Sequence, residues 1–484
     1  MTAVNSNPTA CSLAPPDRLE PPDLRDRRVV VFGMGLSGLA AAGFLKELGA
    51  EVLLTDTRSA NDLRDRLQRA QALGVSVHAG LPDNRALAAF DLGVISPGLA
   101  IGSQPFAQLR ASGLHIVGEV ELAFWFCRVP MIAVCGTNGK GTTAALLGDM
   151  LNRAGLDAVV AGNIGLPLVG ELDEINRADL CVAEVSSFQL ETIESFRPRV
   201  VILLNVTPDH LDYHPTFESY LAAKSRAFEN QQPDDFAVLN ADDDAVARAA
   251  ARARSTRLHF SLGRHDQVGA RLDWGRLALR LEAEADWETL CHVDDINLAG
   301  PHNVLNVMAA ALAARLAGAP TEPIARAARE FALAPHIRQR VGEVNGVVFV
   351  DDSKATNPAA TMAALSQMAE NPILIAGGAD KNVDFTELAE MVAQRVKGLV
   401  LIGTCAEQIR AAVRQAGGPE GILCPSLEEA VSTAYDLAEP GDVVLLSPAC
   451  SSLDMFAGAA RRGEAFAQAV RDLANRLDVE RNVP

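Results

Sequence analysis

The stretch VCGTNGKGTTAALL, residues 134–147, carries the residue types that grip a phosphate. Gly136 and Gly139 let the backbone curl so that successive N–H groups face phosphate oxygens. Lys140 would reach the β- and γ-phosphates of a nucleotide, and a neighbouring hydroxyl would hold Mg2+. The common G-x-x-x-x-G-K-[ST] spacing is not met. Val134 stands at its first position and Gly141 follows the lysine, which leaves Thr142 and Thr143 as the hydroxyls. The competing reading is a glycine turn beside a solvated lysine.

Further polar groups end apolar runs. AEVSSFQL places Glu184 at the end of such a run, where a carboxylate is a suitable hard oxygen ligand for Mg2+. In isolation it serves equally well as a helix-start carboxylate. LLNVTPDHLDYH follows another run with Asp209, His210, Asp212 and His214. That cluster reads as a metal site only if other strand ends converge on it; otherwise it is a solvated turn around Pro208. YLAAKSRAF puts Lys224 on a helix, and spacing alone gives it no role.

The elements that must position these groups form an α/β pattern. Val29 to Phe32 is a short apolar run bounded by glycine, the mark of a buried parallel strand. Gly33, Gly35 and Gly38 follow, then an alanine-rich helix to about Gly49 and a second strand, EVLLTD, ending at Asp56. This G-x-G-x-x-G start, with an acid about 20 positions on, reads as a turn that meets a pyrophosphate at a helix N-terminus. FDLGVISPG (90–98) supplies a further strand.

Next come the strand MIAVCG (131–136), the phosphate-type loop, and a helix expected from about Thr142. Strands are expected again in 179–187, 200–206 and 236–243. A third segment from about 334 has four apolar strands, VVFVDDS, PILIAGG, GLVLIGT and DVVLLSPA. Three α/β units in series result, with no internal sequence repeat.

Composition bounds the function. The 484 residues suffice for about three domains of ~150 residues. A net charge of −18 argues against nucleic acid or an anionic membrane as partner, so an anionic substrate needs local positive charge. Eight cysteines without a C-x-x-C pair fit a reducing cytosol better than a disulfide frame or a zinc site. No run reaches the ~18 apolar residues of a membrane span. Residues 1–27 lack an apolar signal core and read as a disordered tail, which makes the expected location cytoplasmic.

The motifs GTNGK, GNIG (162–165), EVSSFQL, NVTPDHLD, YLAAKSRAF, GPHNVLN (300–306), DDSKATNP (351–358), GGADKNVDF (377–385) and LSPACSSLDMF (446–456) occur in order. Together they resemble the Mur ligase family, and its D-glutamate-adding branch most, over residues 28–484. The resemblance implies a Rossmann-like UDP-substrate domain (28–118), a central P-loop ATPase-type domain (119–333) and a Rossmann-like C-terminal domain for amino acid and ATP (334–484). It implies ATP-dependent addition of D-glutamate to UDP-N-acetylmuramoyl-L-alanine through an acyl phosphate, for peptidoglycan, by a monomer using ATP and two Mg2+ ions.

It also implies roles. Leu36, Ser37, Asp56, Thr57, Arg58 and Gly98 match UDP-contacting positions, so the first loop holds the uridine nucleotide rather than NAD. Gly136, Thr137, Asn138, Gly139, Lys140, Gly141, Thr142 and Thr143 would cradle ATP, with Asn163, Asn303 and Asp352; His302 and Asn306 match positions near the substrate or adenine. Thr142, Glu184, His210 and Lys224, the last as a carbamate, would hold the metal ions. Lys140, His210 and Lys224 form the catalytic set. Lys354, Thr356, Lys381, Ser452 and Leu453 would hold the glutamate.

Three positions depart from the family pattern. Gly141 replaces the usual hydroxyl. Ile337 stands where an arginine is expected after a histidine, with Arg338 or Arg340 available instead and Arg338 assigned to the ATP set. Ala459 replaces an expected aromatic. Rival readings are another amino-acid ligase of the folylpolyglutamate synthase type, an NAD-dependent oxidoreductase, and a non-catalytic nucleotide-binding module.

Overall fold

The computed structural model describes residues 11–15, 20–60, 63–87, 89–97, 99–163, 167–211, 213–298, 300–332, 335–366, 368, 371–380 and 383–481. Short runs of valine, isoleucine and leucine, buried on both faces, make the strands parallel and central. The first sheet is built from β1 (Arg28–Phe32), β2 (Glu51–Asp56), β3 (Ser76–Ala79), β4 (Leu92–Ile95) and β5 (Ile116–Gly118). All pairs are parallel, in the order β3-β2-β1-β4-β5. Chain order reverses between β1 and β4, the point at which open α/β sheets leave a crevice at the strand ends. Phe32 packs edge-on against Phe106 at 5.1 Å in this sheet's core.

The second sheet has nine strands: β6 (Met131–Cys135), β7 (Ala158–Gly162), β8 (Leu180–Glu184), β9 (Val200–Leu203), β10 (Phe236–Asn240), β11 (Thr256–Ser261), β12 (Gly269–Asp273), β13 (Arg276–Arg280) and β14 (Glu288–His292). Their order is β14-β13-β12-β11-β10-β9-β6-β8-β7. β6, the strand feeding the phosphate-type loop, lies between β8 and β9, so Glu184 and Asn205 both emerge beside that loop. β12, β13 and β14 form an antiparallel extension. Its turn carries Trp274 (φ 51°) and Gly275 (φ 76°), the positive φ values of a tight two-residue hairpin.

The third sheet contains β15 (Gln339–Val344), β16 (Val347–Asp351), β17 (Ile373–Gly377), β18 (Gly398–Ile402), β19 (Gly421–Leu423) and β20 (Val443–Leu446). The order is β15-β16-β20-β17-β18-β19, with only β15 antiparallel to its neighbour.

Residue contacts divide the chain into two units. One is Met1–Val206 with Glu218–Phe331, and the other is Thr207–Phe217 with Ala332–Pro484. The first two sheets share the first unit and are cross-braced by the helix Glu119–Phe126, which follows β5 directly. Buried Glu121 accepts N–H groups of Glu194 (2.8 Å), Ser195 (2.8 Å) and Phe196 (3.0 Å), and the Trp125 indole (2.8 Å). Glu119 accepts the Val169 amide at 2.7 Å, and burial pushes its carboxyl up to about 7. Among the described residues no helix is long and apolar enough to cross a membrane.

Candidate active site

The loop after β6 is shaped by its glycines. Gly139 sits at φ 82°, and a Cβ there would come within 2.6 Å of Asn306 Oδ1. Because Gly139 itself caps the helix, that helix begins at Lys140 (Lys140–Arg153), two residues before the expected Thr142. Gly136 sits at φ 148° against Leu204.

Asn205, just beyond β9, braces the curl. Its Oδ1 accepts the amides of Thr137 (3.2 Å) and Asn138 (2.8 Å), and its Nδ2 donates to the Asn138 carbonyl (3.0 Å). Neither Asn205 nor Tyr220, whose hydroxyl lies 3.0 Å from Thr137 Oγ1, was assigned a role from sequence. The available signal for Asn205 was a polar residue ending the apolar run VVILL.

Two lysines converge on the same loop. Lys140 Nζ donates to the carbonyls of Gly136 (3.1 Å) and Thr137 (2.7 Å). Lys224, buried on the helix Phe217–Ser225, donates to the same Gly136 carbonyl at 2.7 Å, with its ammonium 4.6 Å from the Tyr220 ring centre. Two ammonium groups on one oxygen repel each other. The arrangement suits an anion that draws Lys140 outward, or a chemical change that removes the charge of Lys224.

Glu184, buried at the end of β8, accepts from Asn163 Nδ2 at 2.8 Å. The close pass of β7 and β8 requires Gly162, whose Cβ would lie 2.4 Å from the Glu184 carbonyl. Asn303 and Asn306, both buried on the helix Pro301–Leu316, are joined at 3.1 Å. Thr142 is half-buried, while buried Thr143 Oγ1 has no partner among the described residues.

The first glycine loop is built otherwise. A Cβ on Gly38 would lie 1.8 Å from the Gly33 carbonyl, and one on Gly33 would strike Ser96 at 2.8 Å; Gly35 faces open space. Asp56, buried at the end of β2, accepts the Met34 amide at 2.8 Å and a two-pronged bond from Arg58 (Nε 2.9 Å, Nη2 2.8 Å). Burial raises the Asp56 carboxyl, but the Arg58 guanidinium and the Met34 and Arg58 amides outweigh it and bring it down to about 2. Leu36 (61 % exposed), Ser37 and Thr57 flank these groups in the chain. Gly98, assigned to the same site, lies outside the described residues, as do Asp212 and Lys381.

In the second unit, His210 has φ 54°, a region non-glycine residues enter at a cost, and its Nε2 lies 3.6 Å from Asp209 Oδ2. Asp209 is itself buried and accepts from Asn357 Nδ2 at 3.0 Å. Asp352 accepts the Arg338 amide (3.2 Å) and the Ser447 hydroxyl (2.8 Å); burial pushes its carboxyl up to about 7. Asp351 bonds His336 Nδ1 at 2.7 Å. Arg338 is half-buried beside Asp352, whereas Arg340 is exposed and paired with Glu343. Lys354 and Leu453 are exposed, Thr356 is half-buried and Ser452 buried, all on loops at the strand ends of the third sheet. Ala459 opens the last helix, Ala459–Arg481.

Family models match three stretches: the Mur ligase MurD-like N-terminal domain over residues 27–118, the Mur ligase middle domain over 134–314, and the Mur ligase glutamate ligase domain over 338–450. A relative from Acidobacterium capsulatum is 44% identical over 444 residues, covering 92% of this chain and 96% of the relative. The chain belongs to the Mur ligase family.

That relative, and one from Pelotomaculum thermopropionicum that is 41% identical over 93% of this chain and 99% of its own length, are named UDP-N-acetylmuramoylalanine--D-glutamate ligase. Among solved structures, the MurC of Thermotoga maritima matches with a TM-score of 0.58 at 16% identity, over 92% of this chain and 99% of that one. The MurF ligase of Thermotoga maritima in complex with ADP matches with 0.57 at 17% identity, over 94% of this chain and 100% of that one. At these identities the likeness is one of fold, and it is the three-part Mur ligase architecture expected from the sequence.

Proposed function

We propose that this Mur ligase uses ATP to join D-glutamate to UDP-N-acetylmuramoyl-L-alanine, releasing ADP and phosphate, as a step in peptidoglycan assembly. The relatives' shared name supports the substrates. The observation that carries the chemistry is the convergence of Lys140 and Lys224 on the Gly136 carbonyl. The proposed setting is a cytoplasmic monomer with domains 28–118, 119–333 and 334–484, acting on neither nucleic acid nor membrane.

A carboxylate is a poor electrophile, and its oxide is no leaving group. Transfer of the ATP γ-phosphoryl group converts the alanyl carboxylate into an acyl phosphate. The glutamate amine then attacks the acyl carbon, the nitrogen gives up a proton to solvent, and phosphate departs with the C–O electron pair. The first step brings anions together against about 4 kcal/mol per unit charge pair at ~4 Å, taking an effective dielectric near 20.

Lys140, swung from its loop carbonyls onto the phosphates, offsets that repulsion, and the amides of residues 136–143 orient the chain of phosphates. Asn163, Asn303 and Asp352 serve ATP, with Arg338 the arginine nearest Asp352. The UDP end goes to the first glycine loop and Arg58, and the glutamate to Lys354, Thr356, Lys381, Ser452 and Leu453.

The donor set fits a hard dication. Glu184 and Thr142, with Lys224 as its carbamate, would hold one Mg2+, and His210 a second. Among the described residues no group of three or more His, Cys, Asp or Glu is placed to hold a metal alone, so phosphate oxygens and the modified lysine would complete the shell. Bound there, the ions neutralise phosphate charge.

The test is direct: purified protein with ATP, UDP-N-acetylmuramoyl-L-alanine and either glutamate enantiomer, followed by ADP release and product mass. D-Glutamate alone should give product; no product with either enantiomer would sink the reading.

A further inference from the structure

Strands β16, β20 and β17 are neighbours in the third sheet, so the loops that leave them, residues 352–357, 447–454 and 377–380, run side by side. Backbone bonds zip them together: Gly377 N to Pro448 O (2.8 Å), Ala379 N to Ser451 O (2.8 Å) and Ala449 N to Ala355 O (3.0 Å). Ala449 takes part with φ 61°, a left-handed conformation that L-residues other than glycine rarely adopt. Something must hold the turn in that state.

Arg462, in the first turn of the last helix, is 1 % exposed, and it stands among the three loops. Its Nη1 and Nη2 each donate to the Cys450 carbonyl at 3.2 Å, and Nη2 also donates to the Ser353 carbonyl at 2.9 Å. Gly378 passes so close that a Cβ there would lie 3.2 Å from Nη1 and 2.1 Å from the Ser451 carbonyl. Among the described residues no carboxylate forms an ion pair with Arg462, and its buried Nε has no hydrogen-bond partner. The carboxylates of Asp454, Asp351 and Asp352 offset part of the cost of burying this cation, but its hydrogen bonds go to loop carbonyls. Burial lowers its pKa to about 10, which leaves it charged at neutral pH.

We infer that Arg462 is a positioning residue that fixes the Ser353 and Cys450 carbonyls, and so sets the spacing of Lys354, Ser452 and Leu453 for an incoming amino acid with a second carboxylate. The planar fork spans two carbonyls at once, which a lysine ammonium on a flexible stem does not. The identity of that ligand rests on the function proposed above; the loop-fixing role does not.

Two measurements keep the parts separate. Hydrogen exchange at the amides of Gly377, Ala379 and Ala449 reads the zipper without substrate. Exchange there should quicken about tenfold or more in Arg462→Lys and Arg462→Gln, with the amides of β18 unchanged. Wild-type exchange rates in both variants overturn the inference, whatever the reaction.

Steady-state kinetics then reads the ligand. Arg462→Lys should raise KM for D-glutamate about tenfold with KM for the uridine nucleotide unchanged. In Arg462→Ala, added guanidinium at non-denaturing concentration should bring that KM down again. A fall in Tm with an unaltered D-glutamate KM overturns the inference; so does an equal rise in every KM. If wild-type protein adds no D-glutamate at all, the proposed function fails, and hydrogen exchange alone decides the role of Arg462. Should Arg462→Ala not fold, Arg462→Lys and Arg462→Gln carry both measurements.

Discussion

Two glycine-rich loops follow the first strands of two sheets, and they are wired in opposite senses. At Gly33–Gly38 a carboxylate, Asp56, takes up a loop amide and is in turn clamped by Arg58. At Gly136–Gly141 two lysine ammonium groups sit on the loop carbonyls, and an uncharged side chain, Asn205, takes up the amides. Glycine spacing therefore announces a tight turn at a helix start, and no more. What the turn does depends on the charge that neighbouring strand ends bring to it. On the proposed reading the first loop only holds a nucleotide, while the second must also carry a phosphoryl group between anions.

The widest gap between the loops should appear on removing their cations. Lys140→Ala should lower kcat for ADP release by about a thousandfold or more, with the protein still folded by circular dichroism. Lys224→Ala should be comparably inactive, and millimolar formate or acetate should restore part of the rate by standing in for the proposed carbamate. Full turnover in Lys224→Ala would erase the distinction between the loops.

Gly139→Ala comes next. The added Cβ meets Asn306 and the φ of 82° is strained, so KM for ATP should rise about tenfold with a loss of roughly 1–2 kcal/mol in stability. An unchanged ATP KM would show that the curl is not used for binding.

Arg58→Ala should raise KM for the uridine nucleotide several-fold and leave kcat near the wild-type value, the signature of lost uniform binding. A fall in kcat with KM unchanged would place Arg58 in the chemistry instead.

The smallest effect concerns acid. The Asp56 carboxyl lies at about 2 in the folded protein against an ordinary 3.8, so its contribution to stability is whole above 3.8 and is lost as pH falls through about 2. Denaturant melts of wild type and Asp56→Asn should therefore differ at pH 5 and converge toward pH 2; a constant difference would contradict the ion-pair account.

Much of this wiring was legible in the sequence, because the strands that matter are uniformly apolar and end in glycine or a polar residue. β2 fills the expected EVLLTD, and Asp56, Glu184 and Asp352 all lie at or just past a strand end. The antiparallel extension β12–β14 was not read. Its middle strand, RLALR, sets leucines between polar or small residues, and its hairpin turn uses Trp274, 91 % exposed, where asparagine or glycine is usual. β7 and β19 escaped because they are edge strands with partly solvated residues.

Lys224 and Arg462 illustrate a deeper limit. Each reads as an ordinary helix cation, and only the packing of distant loops buries it; neighbouring Arg461 is exposed and pairs with Glu464 three residues on. Burial of a cation is a tertiary fact that helical spacing does not encode.

Glu121 holds three consecutive amides at residues 194–196, and Gly118 approaches Thr192 so closely that a Cβ would lie 2.1 Å from its hydroxyl. The first and second sheets are thus joined by a closely packed, hydrogen-bonded contact. On the proposed function, a precursor held at the first glycine loop and reacting at the second is measured across that joint. Precursors with a shorter or longer span between uridine and carboxylate would present the wrong atom to the second loop, so length itself becomes a criterion of selection.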